Sequence, residues 1–286
     1  MEGDPAPHLD PATGMGAVRL RARDLEGQRR FYEGAIGLET VEASDSLARL
    51  GAGERVLVEL VAAPEARARP RISTGLFHLA ILVPDRPRLG AALRRLADAG
   101  WPLTGASDHL VSEALYTRDP EGNGIEIYRD RPREEWSTAN GELAMDTLPL
   151  DLGPIAAEAE APAPMAQGTR IGHVHLNVAG IADTEAFYCG LLGFEATVRS
   201  YPGALFVAAG GYHHHLGLNT WLGEGAPAPP AGGLGLDRFE VVVPRRGDVE
   251  AVAGRLEAAE HEPERVDGGI EVPDPSSNRV LIRAAP

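Results

Sequence analysis

The sequence predicts an α+β protein made of four βαβββ modules, each a strand followed by a helix and several short strands, and two observations carry that expectation. First, the chain repeats itself: MGAVRLRARDLEGQRRFYEGAIGLE from Met15 has the same outline as IGHVHLNVAGIADTEAFYCGLLGFE from Ile171. Second, a further strand-and-helix unit follows inside each half, so that first strands begin near Ala17, His78, His173 and Arg238, about 60 to 65 residues apart within a half. At 286 residues the chain is long for one core and suits two domains, each burying its own.

In modules one and three an alternating strand leads into a helix carrying Phe31-Tyr32 or Phe187-Tyr188. Each helix is expected to stop at a glycine, Gly37 or Gly193, where the left-handed C-cap conformation costs least. Module two, LFHLAILVPDRPRLGAALRRLADAGWPL from Leu76, reads as an apolar strand, a proline break, and Leu89, Leu93 and Leu96 at helical spacing before Gly100. Its later strands form a hairpin, with Asp-Pro-Glu-Gly-Asn-Gly turning the chain between Tyr116 and Ile125 and a last strand ending with Tyr128. Module four repeats the order from Phe239, with Val249, Val252 and Leu256 on one helix face, and keeps Asp274-Pro275 and Asn278 at matching places. Residues 15–140 are thus expected to hold modules one and two, and residues 169–286 modules three and four. Between them 141–168 reads as a linker, because Met145 to Gln167 is rich in Ala, Pro and acidic residues without a sustained amphipathic period.

A formal net charge of -15, with no Lys/Arg stripe interleaved with aromatics to offset it, argues against a nucleic-acid partner. No apolar run approaches the ~20 residues that cross a bilayer, so no membrane partner is expected. The start, MEGDPAPHLDPATGMG, does not read as a secretory signal, and a cytoplasmic protein is expected. The single cysteine, Cys189, excludes an internal disulfide and lies on an apolar helical pattern, where it reads as a structural thiol. Any metal must therefore be held by His and carboxylate. The stretch GYHHHLGLNTW, Gly211 to Trp221, is open to several readings: metal site, acid/base centre, cloned tag or polar strand edge. A tag sits at a terminus, whereas His213, His214 and His215 run into Leu216-Gly217-Leu218, which removes that reading.

The segments GLFHLAILVPDR, SDHLVSEALYTRDPEGNGIEIYRDRP, IGHVHLNV and GGYHHHLGLNTW, set in this tandem array, resemble the vicinal oxygen chelate superfamily of glyoxalase I, antibiotic resistance proteins and extradiol dioxygenases. Within it they look like the two-domain catechol 2,3-dioxygenase and hydroquinone-dioxygenase-like branch, and the resemblance covers nearly the whole chain apart from the linker and the N-terminal tail. It implies that pairs of modules curl into open barrels with a metal inside, held by first-strand histidines and a last-strand glutamate. The first-strand positions here are Ala17, His78, His173 and Arg238, and the last-strand positions include Glu126 and Leu281. Since Ala17, Arg238 and Leu281 cannot ligate, only modules two and three together supply a set: His78, Glu126 and His173. The resemblance therefore implies that module two pairs with three and module one with four, giving one active site per chain. Two His and one carboxylate suit Fe(II), with Mn(II) as the second candidate.

Strand alternation agrees with this choice of atoms. His173, His175 and Asn177 share one face, Glu126 stands opposite Ile125 and Ile127, and His78 lies away from Phe77 and Leu79. Glu59, in VLVELV, has no histidine at Ala17 or Arg238 to join it and reads as structural or solvent-facing. The resemblance further implies an acid/base histidine in the His run: His214, with His215 as the alternative, because neighbours on a regular strand cannot both face inward. His109 and Tyr116 take the role of hydrogen-bonding the substrate, while Trp221 and Asn219 line the mouth. The implied activity is extradiol-type cleavage of a catechol or hydroquinone-like ring, with a small aromatic molecule and O2 as partners. Modules one and four are left to support the fold and offer a surface for a homo-oligomer. The rival readings are a glyoxalase-like metal-dependent lyase or isomerase, and a non-catalytic aromatic- or antibiotic-binding resistance protein. The second rival needs no metal, so the complete ligand set weighs against it.

Overall fold

A computed structural model describes residues 7–161 and 163–285 of the protein. Module one comprises β1 (Gly14–Ala22), α1 (Leu25–Phe31), β2 (Glu39–Ala43), β3 (Leu47–Ala52) and β4 (Arg55–Ala62). Module two comprises β5 (Gly75–Leu82), α2 (Arg86–Asp98), β6 (Gly105–Asp108), β7 (Ser112–Arg118) and β8 (Gly124–Asp130). A short helix, α3 (Leu152–Ala157), lies in the connecting segment. Module three follows with β9 (Arg170–Asn177), α4 (Ile181–Glu185), β10 (Glu195–Val198), β11 (Ala204–Ala208) and β12 (Leu216–Asn219). Module four has β13 (Gly235–Val243), α5 (Arg246–Ala258), β14 (Glu264–Val266), β15 (Gly269–Pro273) and β16 (Arg279–Ala284).

Local chemistry explains where the helices begin and end. The Asp24 and Asp85 carboxylates accept from the Gly27 and Arg88 amides, capping α1 and α2. Both α1 and α4 continue into a wider π-helical turn, Tyr32–Ile36 and Ala186–Leu192, and stop at Gly37 and Gly193 with φ of 91° and 96°. The glycine stops are those expected from the sequence, while the π turns are not visible in its pattern.

The module strands form two large sheets, and a two-stranded ribbon, Thr138–Ala139 with Glu142–Leu143, lies in the connecting segment. One runs β14-β15-β16-β13-β1-β4-β3-β2, and the other β6-β7-β8-β5-β9-β12-β11-β10, with a two-residue strand, Leu148–Pro149, added outside β6. In every module the first strand pairs in parallel with its own last strand. The free edge of each first strand then meets another module antiparallel, β1 against β13 and β5 against β9. Modules two and three therefore share one sheet, and modules one and four share the other, as the ligand inventory implied.

The helices tie the chain together in the opposite sense, within each half. Arg95 on α2 donates to the Ile36 carbonyl at 2.7 Å, and Arg255 on α5 donates to the Leu191 and Leu192 carbonyls at 2.7 and 2.9 Å, covering helix-end acceptors that would otherwise lack partners. The Tyr32 hydroxyl donates to Asp119 at 3.4 Å, and Tyr188 to Asp274 at 3.0 Å. Each aspartate also organises its turn, Asp119 accepting from the Glu121 and Asn123 amides and Asp274 from the Ser276 and Asn278 amides. Strands crossing between halves and tyrosines buttoning within them make the two halves interdependent. Tyr188→Phe removes one donor from a buried carboxylate and is expected to destabilise the protein by about 1–3 kcal/mol, read as a lower urea midpoint with an unchanged slope.

The sheet of modules one and four holds ion pairs where the other holds His78, Glu126 and His173. Glu59 accepts from Arg19 and Arg49 at 2.7 and 2.8 Å, and Arg238 is paired with Glu271 at 3.0 Å. Burial alone would push the Glu59 carboxyl up, but the two guanidiniums hold it below its usual range. The segment between the halves is packed: Ile155 and Met165 are buried, and the Met165 amide donates to the Gly37 carbonyl at 2.7 Å. Among the described residues no helix is long and apolar enough to cross a membrane.

Candidate active site

The adjacent strands β8, β5 and β9 carry Glu126, His78 and His173. Ala80 on the central strand is in register with Glu126 on one side and His173 on the other, so a methyl group alone lies between the flanking ligand candidates. His78, two residues earlier on the same face, closes the group. Gly172 lies at a register shift in β9, and a Cβ there would collide with the Tyr128 hydroxyl, so the residue preceding His173 has to be small.

The three donor atoms form a nearly equilateral triangle. His78 Nε2 is 2.9 Å from Glu126 Oε2, His173 Nε2 is 3.2 Å from the same oxygen, and the two nitrogens are 3.3 Å apart. Neighbouring ligands on an octahedral ion at ~2.1 Å are separated by ~3.0 Å, so the donor set fits a small divalent metal. Hydrogen bonding alone satisfies it poorly. If both Nε2 atoms carry protons to give to the carboxylate, the two N–H groups face each other. All three side chains are buried. Burial would raise the Glu126 carboxyl, but His173 and His78 hold it well below its usual range, while burial pushes His173 down to about 4 against the pull of Glu126. An ionised carboxylate beside a neutral imidazole is the state that binds a metal.

The group opens into a cavity of about 440 Å³, within the size range of small-molecule sites. Phe77, Tyr116, Tyr201, Phe206 and Trp221 supply aromatic walls. Phe77 departs from the expected alternation, because the β5–β9 register shifts between His175/His78 and Leu176/Leu76. Phe77 is the extra residue of that bulge and turns to the cavity. His175, on the ligand face of β9, packs on His78 at 4.9 Å between ring centres and lies over Gly217, where a Cβ would sit 2.8 Å from the imidazole. Met145, Asp146 and Thr147, inside the stretch expected to act as linker, also line the cavity. Asn219 is buried in β12 but does not line the cavity, whereas Trp221 does.

His109 and Tyr116 act together. His109 Nδ1 lies 2.7 Å from the Asp146 carbonyl, which only accepts, so that nitrogen carries the proton; Nε2 then accepts from the Tyr116 hydroxyl at 2.6 Å. Burial, with the Glu126 charge beside it, pushes the Tyr116 phenol well above its ordinary value and keeps it protonated.

The histidine run occupies the turn between β11 and β12 rather than a regular strand, which corrects the alternation argument made from sequence. All three side chains are buried, yet they serve different surroundings. His214 lines the aromatic cavity, with its ring 4.2 Å from that of His173. His213 Nε2 is 2.9 Å from Asp130 and must donate to it, and His213 Nδ1 is 2.7 Å from His214 Nδ1. With neutral rings, His213 Nδ1 is an acceptor, His214 Nδ1 is the donor, and His214 Nε2 keeps its lone pair. Burial, followed by the neighbouring histidines, holds His214 well below the usual imidazole range. His215, the alternative acid/base candidate, does not line this cavity: its Nδ1 accepts from the Ala209 amide at 3.1 Å, and its ring lines a second cavity behind the run. Asp130 was missed from sequence although it shares the face of Glu126 on β8, four residues on, and that period-2 spacing was the available signal.

The family model described as the Glyoxalase/Bleomycin resistance protein/Dioxygenase superfamily matches residues 14–127 and 170–280. A catechol-2,3-dioxygenase of Bacillus subtilis (strain 168) is 44% identical over 276 residues, covering 94% of this chain and 96% of that protein. Among solved structures, one from Bacillus subtilis superposes with a TM-score of 0.70 at 14% identity, covering 98% of this chain and 87% of that one. Glyoxalase I from Zea mays superposes with a TM-score of 0.59 at 17% identity, covering 96% and 92%. At such identities the two structural likenesses concern the fold alone.

Proposed function

The chain belongs to the glyoxalase/bleomycin resistance protein/dioxygenase superfamily, and from that premise we propose that it is an extradiol-type dioxygenase that cleaves a catechol or hydroquinone-like ring with O2. A catalytic metal is part of that function. One observation carries the reading: a buried His78, His173 and Glu126 triangle opens onto an aromatic cavity that also contains a histidine with a free lone pair. The ligand set favours Fe(II), with Mn(II) as the alternative, because two imidazoles and one carboxylate leave a face of the ion open. Bound there, the ion supplies the redox and Lewis-acid chemistry of ring cleavage.

The protein's own groups do the rest. Phe77, Tyr201, Phe206 and Trp221 receive a flat ring and limit water around it. His214 Nε2, kept neutral by burial with its lone pair toward the cavity, accepts a phenolic proton from the substrate and later returns it. Asp130 acts through His213, holding it in the tautomer that leaves His214 free at Nε2. Tyr116, kept protonated and donating to His109, lies in register with Glu126, and its oxygen accepts from a hydroxyl of the substrate. His215 has no part in this reading. Residues 15–140 and 169–286 serve as the two domains, supported by the paired matches at 14–127 and 170–280.

Oxygen uptake tests the reading. Protein loaded anaerobically with Fe(II) should consume one O2 per catechol and yield a yellow ring-opened product. Turnover of a hemithioacetal without oxygen would favour the lyase or isomerase reading, and stoichiometric aromatic binding without turnover would favour a resistance protein.

A further inference from the structure

A second cavity, of about 310 Å³, lies behind the histidine run, at the seam between the two sheets. One wall comes from the start of module one and from Arg55 at the head of β4, and the other from Arg170, Ile171 and Gly172 on β9 together with Ala209, Tyr212 and His215. Its polar character is one-sided. Arg55, Arg133 and Arg170 all line it, no carboxylate does among the described residues, and none of the three pairs with a carboxylate among them, although Arg133 also donates to the Gly210 carbonyl at 3.4 Å and lies over the Trp136 ring. In a chain with a formal net charge of -15, three arginines line one cavity whose nearest carboxylate through the lining, Asp130, stands behind Tyr212, so the lining itself is cationic.

The base supplies hydrogen-bond donors. His215 Nδ1 accepts from the Ala209 amide, so the neutral ring carries its proton on Nε2, which has no partner among the described residues. Burial, with cations including Arg170 and Arg133 nearby, holds His215 down to about 3 and so keeps it in that neutral form. Thr13 is buried, lines the same cavity, and its hydroxyl has no hydrogen-bond partner among the described residues. A buried hydroxyl left unpaired is destabilising, and an accepting ligand would give it a partner.

We propose that this cavity is a second binding site, for a small oxyanion, with Arg55, Arg133 and Arg170 at the rim and the His215 Nε2–H and Thr13 hydroxyl at the base. Carboxylate and phosphate share the chemistry the site recognises: a compact negative charge with several acceptor oxygens. Bound between the sheets, the anion cross-links modules one and three. Tyr212, which also lines the cavity, donates to Asp130 at 3.1 Å, so the bound anion touches from behind the network that holds His213 and His214.

Calorimetric titration of the metal-loaded protein with inorganic phosphate and, separately, with acetate at low ionic strength tests the site. The expected result is one saturable equivalent of at least one anion, weakened about tenfold or more by Arg170→Gln and by Arg55→Gln. The stronger of the two titrations identifies the source chemistry. Both substitutions are at exposed positions, and thermal unfolding of each variant without anion reports that it is folded. Binding must also persist in His173→Ala, because loss there would put the anion on the metal and overturn the proposal. Absence of saturable binding up to ~10 mM, equal affinity in wild type and both arginine variants, or the same heat with chloride would overturn it as well.

Discussion

His173→Ala should abolish metal retention and, with it, ring cleavage. After anaerobic Fe(II) loading and desalting, wild-type protein should keep close to one iron per chain. The variant should keep less than about a tenth, because losing a direct ligand exceeds the 10–100-fold penalty of losing an outer-shell partner. His173 is the sole member of the triangle contributed by module three, so this substitution also tests the pairing of modules across the halves. His175→Ala is the control. It lies on the same face of β9 and packs on His78, yet it is not part of the triangle, and iron should stay near the wild-type level. Equal iron in wild type and His173→Ala would sink the metal assignment. Loss of iron from His175→Ala would mean that the neighbouring imidazole is a ligand or an indispensable support.

His214→Gln should lower kcat by about 10²–10⁴ while leaving iron content unchanged, the range in which a positioned acid/base group contributes. Glutamine keeps a polar side chain against His173 and Phe206 but offers no nitrogen lone pair to accept a proton. His215→Gln should leave kcat within a few-fold of wild type, since His215 faces the other cavity. Asp130→Asn should fall between the two, because an amide still touches His213 but no longer demands a proton from Nε2. Equal losses in His214→Gln and His215→Gln would return the question to both histidines. A normal kcat in His214→Gln would move the acid/base role to Tyr116 and His109.

Much of this site is legible in the residues because strand periodicity and helix punctuation are local properties. The alternation of HVHLN in β9 and of GIEIYRD in β8 places His173 and Glu126 on one face of their strands whatever surrounds them. Gly37 and Gly193 end their helices for a reason contained in one residue, the low cost of positive φ. The matching Asp119 and Asp274 turns are visible as a repeated motif, although the tyrosines that bind them are not, since each partner is more than eighty residues away.

What lies beyond local pattern is of a different kind. A bulge in β5 sends Phe77 to the cavity side, and the need for it arises only when β5 meets β9. Met145 to Thr147 sit in a segment whose composition shows no period, and they become a cavity wall because the chain must pass the open side of the β6–β8 hairpin on its way to module three. The histidine run shows the division most sharply. Its three imidazoles are equivalent by sequence, and a turn rather than a strand carries them, so alternation has no hold on their directions. By itself the sequence determined the four modules and the faces of the strands that carry His173 and Glu126, while the set of His78, Glu126 and His173 came from its resemblance to the superfamily. The tertiary structure alone decided that His214 faces the ligand triangle, that His213 is locked to Asp130, and that His215 looks onto a cationic cavity between the sheets, because each depends on a partner brought in from another module.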